Sequence, residues 1–163
     1  MKTLLIVVHS ATGGSRQMAE AAARGATREA GILTRLLPAV DTRPADVLAA
    51  DGFLFATPEN LAAIAGLMKD FFDRCYYPAL GHLNGRPYAS LICAGTDGSN
   101  AARQIARIAT GWRLRPVAEP LIILTGAQTP TAILAPKTIP PVGLSRCEDS
   151  GAALATGLAM GIF

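Results

Sequence analysis

The sequence predicts an α/β fold, a doubly wound parallel sheet of five strands with helices on both faces. Three observations carry this expectation. Apolar runs alternate with helical patterns from one end of the chain to the other, and five of the runs are strand-like. The first run breaks into a Gly-flanked hydroxyl loop that opens a helix. No internal repeat or composition shift divides the 163 residues, which fit one domain, 1–163.

The first strand, 3–8, leads into a helix with Met18, Ala22, Ala26 and Ala30 along one face, where small residues allow close approach to the sheet. A second strand at 32–37 is followed by Thr42 and Pro44, which suit the start of a short helix. After a third strand at 52–56, Ile64, Leu67, Met68, Phe71, Phe72 and Cys75 recur at helical spacing as a core-facing stripe, with Asp70 and Arg74 pairing on the wet side. A fourth strand spans 88–94, and Ser99 and Asn100 cap a helix that turns Ala101, Ile105, Ile108, Ala109 and Trp112 inward. Trp112 therefore reads as core rather than as a ligand stack.

The fifth strand is expected at 117–124, and Ser145-Arg146-Cys147-Glu148 reads as a capping box before a last helix that buries Leu154 and Leu158. The segment 125–143 between them carries Pro130, Pro136, Pro140 and Pro141 and is long for a strand-to-helix connection. Ile133, Leu134 and Ile139 would be wasted in solvent, so the segment is expected to pack over a ligand mouth or against a partner subunit.

Composition narrows the function classes. Hydrophobic residues make up 50% and charged residues 17%, yet the longest apolar stretches, such as 4–8, are far too short to span a bilayer. No small-residue cleavage site follows Lys2, so a cytoplasmic location without membrane attachment is expected by default. Cys75, Cys93 and Cys147 are widely spaced and odd in number; they support neither a redox dithiol nor a zinc knuckle and read as buried small hydrophobes. The net charge of +3 comes mostly from arginines such as Arg103, Arg107, Arg113 and Arg115, without aromatic interleaving. Solvated helix surface, not a nucleic-acid site, is the expectation.

The chemistry-bearing motif is the loop Ser10-Ala11-Thr12-Gly13-Gly14-Ser15. Between a strand and a helix, loop amides and the positive helix end converge where a phosphate is favoured, and Ser10, Thr12 and Ser15 can add hydroxyl donors. A Walker A loop is excluded because no Lys follows Gly14, and the dinucleotide fingerprint because the two glycines are adjacent. Ser10 and Arg16 keep the Cys-x5-Arg spacing of low-molecular-weight tyrosine phosphatases, but the thiol is missing and a bare Ser is a poor nucleophile. The plainer alternative is a helix-capping turn that binds nothing.

The spacing Ser-x-Thr-Gly-x-Ser resembles the phosphate loop of flavodoxins and related FMN enzymes. The block 52–78 adds to this: Ala56-Thr57-Pro58-Glu59-Asn60, then Gly66-x-Met68-Lys69-Asp70-Phe71-Phe72-Asp73-Arg74, is similar to a pattern in NAD(P)H-dependent FMN reductases and quinone reductases of the flavodoxin-like superfamily. The resemblance implies a flavodoxin-like sheet of order 2-1-3-4-5, whose switch point between strands 1 and 3 gathers three loops. It implies that Ser10, Thr12, Gly13, Gly14 and Ser15 bind the FMN phosphate. Pro58, Glu59, Asn60 and Leu61 would border the reactive ring, with Gly95, Thr96, Asp97 and Gly98 opposite.

These ring loops contain no Trp or Tyr, whereas electron-carrier flavodoxins usually sandwich the ring between aromatics. Such carriers are also typically acidic, while this chain has a pI of about 9.0. Both points favour a reductase that takes hydride from NAD(P)H and passes electrons to a quinone, flavin or similar small acceptor. An FMN electron carrier for a protein partner and a flavin-free interaction module remain alternatives. No catalytic side chain is expected, because the flavin supplies the redox centre and the protein orients it. Glu59 could handle protons or be a solvated carboxylate. A homodimer or higher homo-oligomer is expected from the resemblance and from the apolar residues of the Pro-rich segment.

Overall fold

The computed structural model describes residues 1–163. In chain order the elements are β1 (Lys2–Val8), α1 (Gly14–Ala26), β2 (Ile32–Pro38), α2 (Pro44–Ala49), β3 (Gly52–Asn60), β4 (Ala63–Ile64), α3 (Gly66–Ala79), β5 (Pro87–Ala94), α4 (Ser99–Gly111), β6 (Arg115–Pro116), β7 (Leu121–Leu124), α5 (Pro130–Leu134) and α6 (Pro141–Met160). The long strands lie in the order β2-β1-β3-β5, with β6 and then β7 pairing along the outer side of β5, all parallel. With β4 set aside as a small antiparallel return on β3, this is the doubly wound order the sequence predicts, with its switch point between β1 and β3.

Alternate residues of the central strands feed two cores. Leu5, Val7, Phe53 and Phe55 face α2, α3 and α4, where Phe55, Phe72 and Trp112 pack edge to face at centroid distances of 5.0 and 5.3 Å. Leu4, Ile6 and Leu54 face the opposite way, onto Met18 and Ala22 of α1 and Leu154 and Leu158 of α6. Trp112 is thus core, as its spacing predicts, and all three cysteines are buried and free. Arg74 Nε donates to Asp70 Oδ2 at 2.6 Å on the outer side of α3.

Several local expectations are corrected. The fifth strand is broken, because Pro116 and Pro120 cannot donate to a ladder and leave only 121–124 and a two-residue fragment paired with β5. Ile64 belongs to β4 rather than to the third helix, and Leu67 on that helix is exposed. The first helix ends at Ala26, which leaves Ala30 beyond it and exposed. The last helix begins at Pro141, whose missing N–H is harmless in a first turn. Ser145 therefore lies inside α6, and Glu148 makes ion pairs with Arg28 and Arg24 instead of capping. No helix is long and apolar enough to cross a membrane.

Candidate functional site

The site is built from the loops beyond the carboxyl ends of β1, β3 and β5, and the first is the loop before α1. His9 N still donates to Ala56 O at 3.0 Å, but pairing stops there. Gly13, at φ 92°, turns the chain into the helix while its amide donates to Ser10 Oγ at 3.1 Å. No side chain caps α1. The amides of Ala11, Thr12, Gly14, Ser15 and Arg16 find no acceptor in the protein. Ser15 is 1% exposed, and its Oγ is a buried hydroxyl without a partner. Buried polar groups are rarely left unpaired, and a cluster of free amides around a helix start is what the oxygens of a phosphate satisfy. Gly14 packs so tightly that a Cβ there would lie 2.5 Å from Cys93 Sγ. The loop fits the phosphate end of FMN.

The second loop is a hairpin. β3 runs past the sheet to Asn60 and β4 returns against it, pairing Glu59 with Ile64 and Asn60 with Ala63. The two turn residues, Leu61 at φ 49° and Ala62 at φ 58°, are both left-handed, at a cost of about 1–2 kcal/mol each for residues with a Cβ. Leu61 is fully exposed. The hairpin is tied to α4: Ile64 N donates to Gln104 Oε1 at 2.8 Å, and the Asn100 side-chain amide donates to Ala62 O.

Glu59 has a defined job. Its carboxylate accepts from Gly98 N at 2.9 Å and Ala101 N at 3.0 Å, so it caps α4 from another element. Asp97 does the same from within the third loop, accepting from Ser99 N at 3.3 Å and Ser99 Oγ at 2.8 Å.

A cavity of about 380 Å³ lies between these loops, within the range of small-molecule sites. Thr12 lines it from the first loop, Pro58 to Ala62 from the hairpin, and Cys93 to Thr96 from the end of β5, and no aromatic side chain reaches it. Its fourth wall comes from the Pro-rich segment through Thr125, Ala127, Ile133 and Lys137. Burial pushes the Cys93 thiol above its ordinary value, and nearby Lys137 only partly offsets this, so Cys93 is a packed thiol rather than a nucleophile.

The expected site residues therefore divide. Thr12, Pro58, Glu59, Asn60, Leu61, Gly95 and Thr96 line the cavity. Gly13, Gly14 and Ser15 form the turn and helix start beside it. Ser10 faces a second cavity of about 210 Å³ with His9, Arg16, Val40 and Leu67. Asp97 and Gly98 are engaged in starting α4. Sequence reading missed Cys93, Ala94, Thr125, Ala127 and Lys137; the length and proline content of 125–143 were the only signal for the last three.

The model of the NADPH-dependent FMN reductase family matches residues 38–128. A flavodoxin of Aquifex aeolicus is 34% identical over 94 residues, covering 58% of this chain and 49% of its own length. An NAD(P)H dehydrogenase (quinone) of Acidithiobacillus ferrooxidans is 33% identical over 94 residues, covering 45% of this chain and 47% of its own. The chain thus spans about half the length of these curated relatives. A solved archaeal flavodoxin superposes with a TM-score of 0.76 at 15% identity, covering 97% of this chain and 99% of that one, which shows the shared fold.

Proposed function

The chain belongs to the NADPH-dependent FMN reductase family, and on that premise we propose that it binds FMN, takes hydride from NAD(P)H and delivers electrons to a quinone, flavin or similar small acceptor. The observation that carries this reading is the buried, partnerless Ser15 hydroxyl among free amides, set beside an open cavity without aromatic side chains. When bound, the flavin supplies the hydride- and electron-accepting centre.

The protein's part is binding, orientation and access. Thr12, Gly14 and Ser15 hold the phosphate through free backbone amides and hydroxyls, while Ser10 and Gly13, bonded to each other, set the turn that presents them. Pro58, Asn60, Leu61, Gly95 and Thr96 border the ring with main-chain groups and small or aliphatic side chains, leaving a face on which a flat donor or acceptor can stack. Glu59 acts through α4: by fixing the start of that helix it holds the third loop against the hairpin. The matched quinone dehydrogenase supports a quinone acceptor. The matched flavodoxin supports the second reading, an FMN electron carrier for a protein partner. Exposed Ile133 and Leu134 on α5 support a homo-oligomer, which sedimentation at working concentration tests.

The deciding experiment is titration of apo protein with FMN, followed by anaerobic addition of NADPH or NADH. Tight binding with rapid loss of flavin absorbance supports the reductase. Binding without that loss favours the carrier, and absence of binding rejects both.

A further inference from the structure

Residues 125–140 form a strap that leaves β7, passes along the cavity and meets the phosphate loop before α6 begins. It starts on the third loop, where Thr125 N donates to Ala94 O at 2.8 Å and Gly126 N to Gly95 O at 2.9 Å. In its middle, α5 is one short turn whose last carbonyls are gathered by a single ammonium: Lys137 Nζ donates to Ala132 O, Ile133 O and Ala135 O at 2.8, 2.8 and 2.6 Å. All three donors of that ammonium are used, so Lys137 serves the strap's shape and has none left for a ligand.

At its far end the strap is fastened by one side chain. Gln17, in the first turn of α1, donates through Nε2 to Lys137 O at 2.7 Å and to Gly13 O at 3.1 Å, and accepts from Ile139 N at 3.0 Å through Oε1. The Lys137 amide adds a bond to Thr12 O at 2.8 Å. The Gln17 amide therefore meets its strap donor and strap acceptor while also holding the glycine at the turn of the phosphate loop. It is absent from the cavity lining. Beyond this fastening, the strap's anchor is Ile139, buried at 2% exposure.

We propose that Gln17 is a positioning residue for FMN: it clamps the strap to the phosphate loop, so that the fourth wall of the cavity stays shut and bound flavin leaves slowly. The assignment rests on the proposed FMN site. Without the clamp, the strap keeps its tie to the third loop and the Lys137 amide bond to Thr12 O but loses its two bonds to α1. The wall formed by Ile133 and Lys137 then opens more often, and the dissociation rate rises before the fold is lost.

The test uses the full chain as wild type, Gln17→Leu, which removes all three bonds, and Gln17→Glu, which keeps the acceptor for Ile139 N but puts a carboxylate against two carbonyls. FMN release is timed by trapping free flavin, with proteolytic cleavage within 126–138 as a second readout and far-UV circular dichroism as the control for folding. The expected result is that both variants fold, release FMN at least about tenfold faster and are cut faster in the strap, a tenfold change being the scale of one lost interaction. Wild type that takes up no FMN rejects the proposed function itself. Wild type that binds FMN, with either folded variant releasing it at the wild-type rate, overturns the clamp alone. If Gln17→Leu does not fold, the release rate of Gln17→Glu decides by the same criterion.

Discussion

Glu59 is the carboxylate that a reader of the sequence would choose for proton handling beside the ring, and substituting it separates two physical roles. Its two oxygens bond the amides of Gly98 and Ala101 at 2.9 and 3.0 Å, at the start of a 13-residue helix. Removing a capping acceptor costs about 0.5–2 kcal/mol. Loss of a negative charge at a partly buried helix start costs roughly another 0.3–1 kcal/mol. Glu59→Ala should therefore lower stability by about 2 kcal/mol, which is roughly 4–8 °C in Tm for a chain of this size. Glu59→Gln keeps one acceptor but turns an NH₂ towards the other amide, so it should lose about half as much. A general acid or base, by contrast, contributes about 10²–10⁴ in rate and leaves its signature in the pH profile. The assay is thermal melting with FMN bound and absent, paired with steady-state rates against pH. An unchanged Tm with Glu59→Gln, together with a hundredfold fall in kcat, would refute the capping argument.

Three further outcomes follow from the geometry. Ser15→Ala removes a buried hydroxyl with no protein partner, so the apo protein should be at least as stable as wild type while FMN binds about 10- to 100-fold more weakly, the scale of a hydrogen bond to a charged group; melting and flavin titration check both halves. Ala62→Gly relieves a left-handed position at φ 58° and, after the entropy that glycine adds to the unfolded chain, should raise stability by about 0.5 kcal/mol in urea unfolding. Burial holds the His9 imidazole below its ordinary value of 6.5. Above that pH the ring is neutral in both states and contributes nothing; as pH falls through 6.5 the unfolded chain takes up the proton first and stability declines. Urea midpoints of His9→Gln should fall less over that window than those of wild type.

The fold was legible because its evidence is local and periodic. The central strands and the Phe71, Phe72 and Cys75 face of α3 follow from spacing alone, and the switch point follows from the order of the elements. What spacing could not reveal was hydrogen bonding between distant residues. Gln17 looks like any surface residue of an amphipathic helix until the chain brings Lys137 and Ile139 against it 120 and 122 residues later. Glu59 reads as a loop carboxylate because its partners lie at the start of a helix, 39 and 42 residues on. Proline misled at both ends of the C-terminal region: it broke the fifth strand, and at Pro141 it started α6 before the apparent capping box.

Two helices begin at the mouth of the cavity, and they do so in opposite electrical conditions. The amides at the start of α1 are free, whereas the carboxylates of Glu59 and Asp97 already occupy the start of α4. A molecule carrying negative charge at one end only is welcomed at the first and repelled at the second, so the cavity has a head and a foot before any ligand arrives. Orientation is thereby set by which helix start the chain has kept for itself, and a neutral ring can be held in one sense without a charged side chain gripping it.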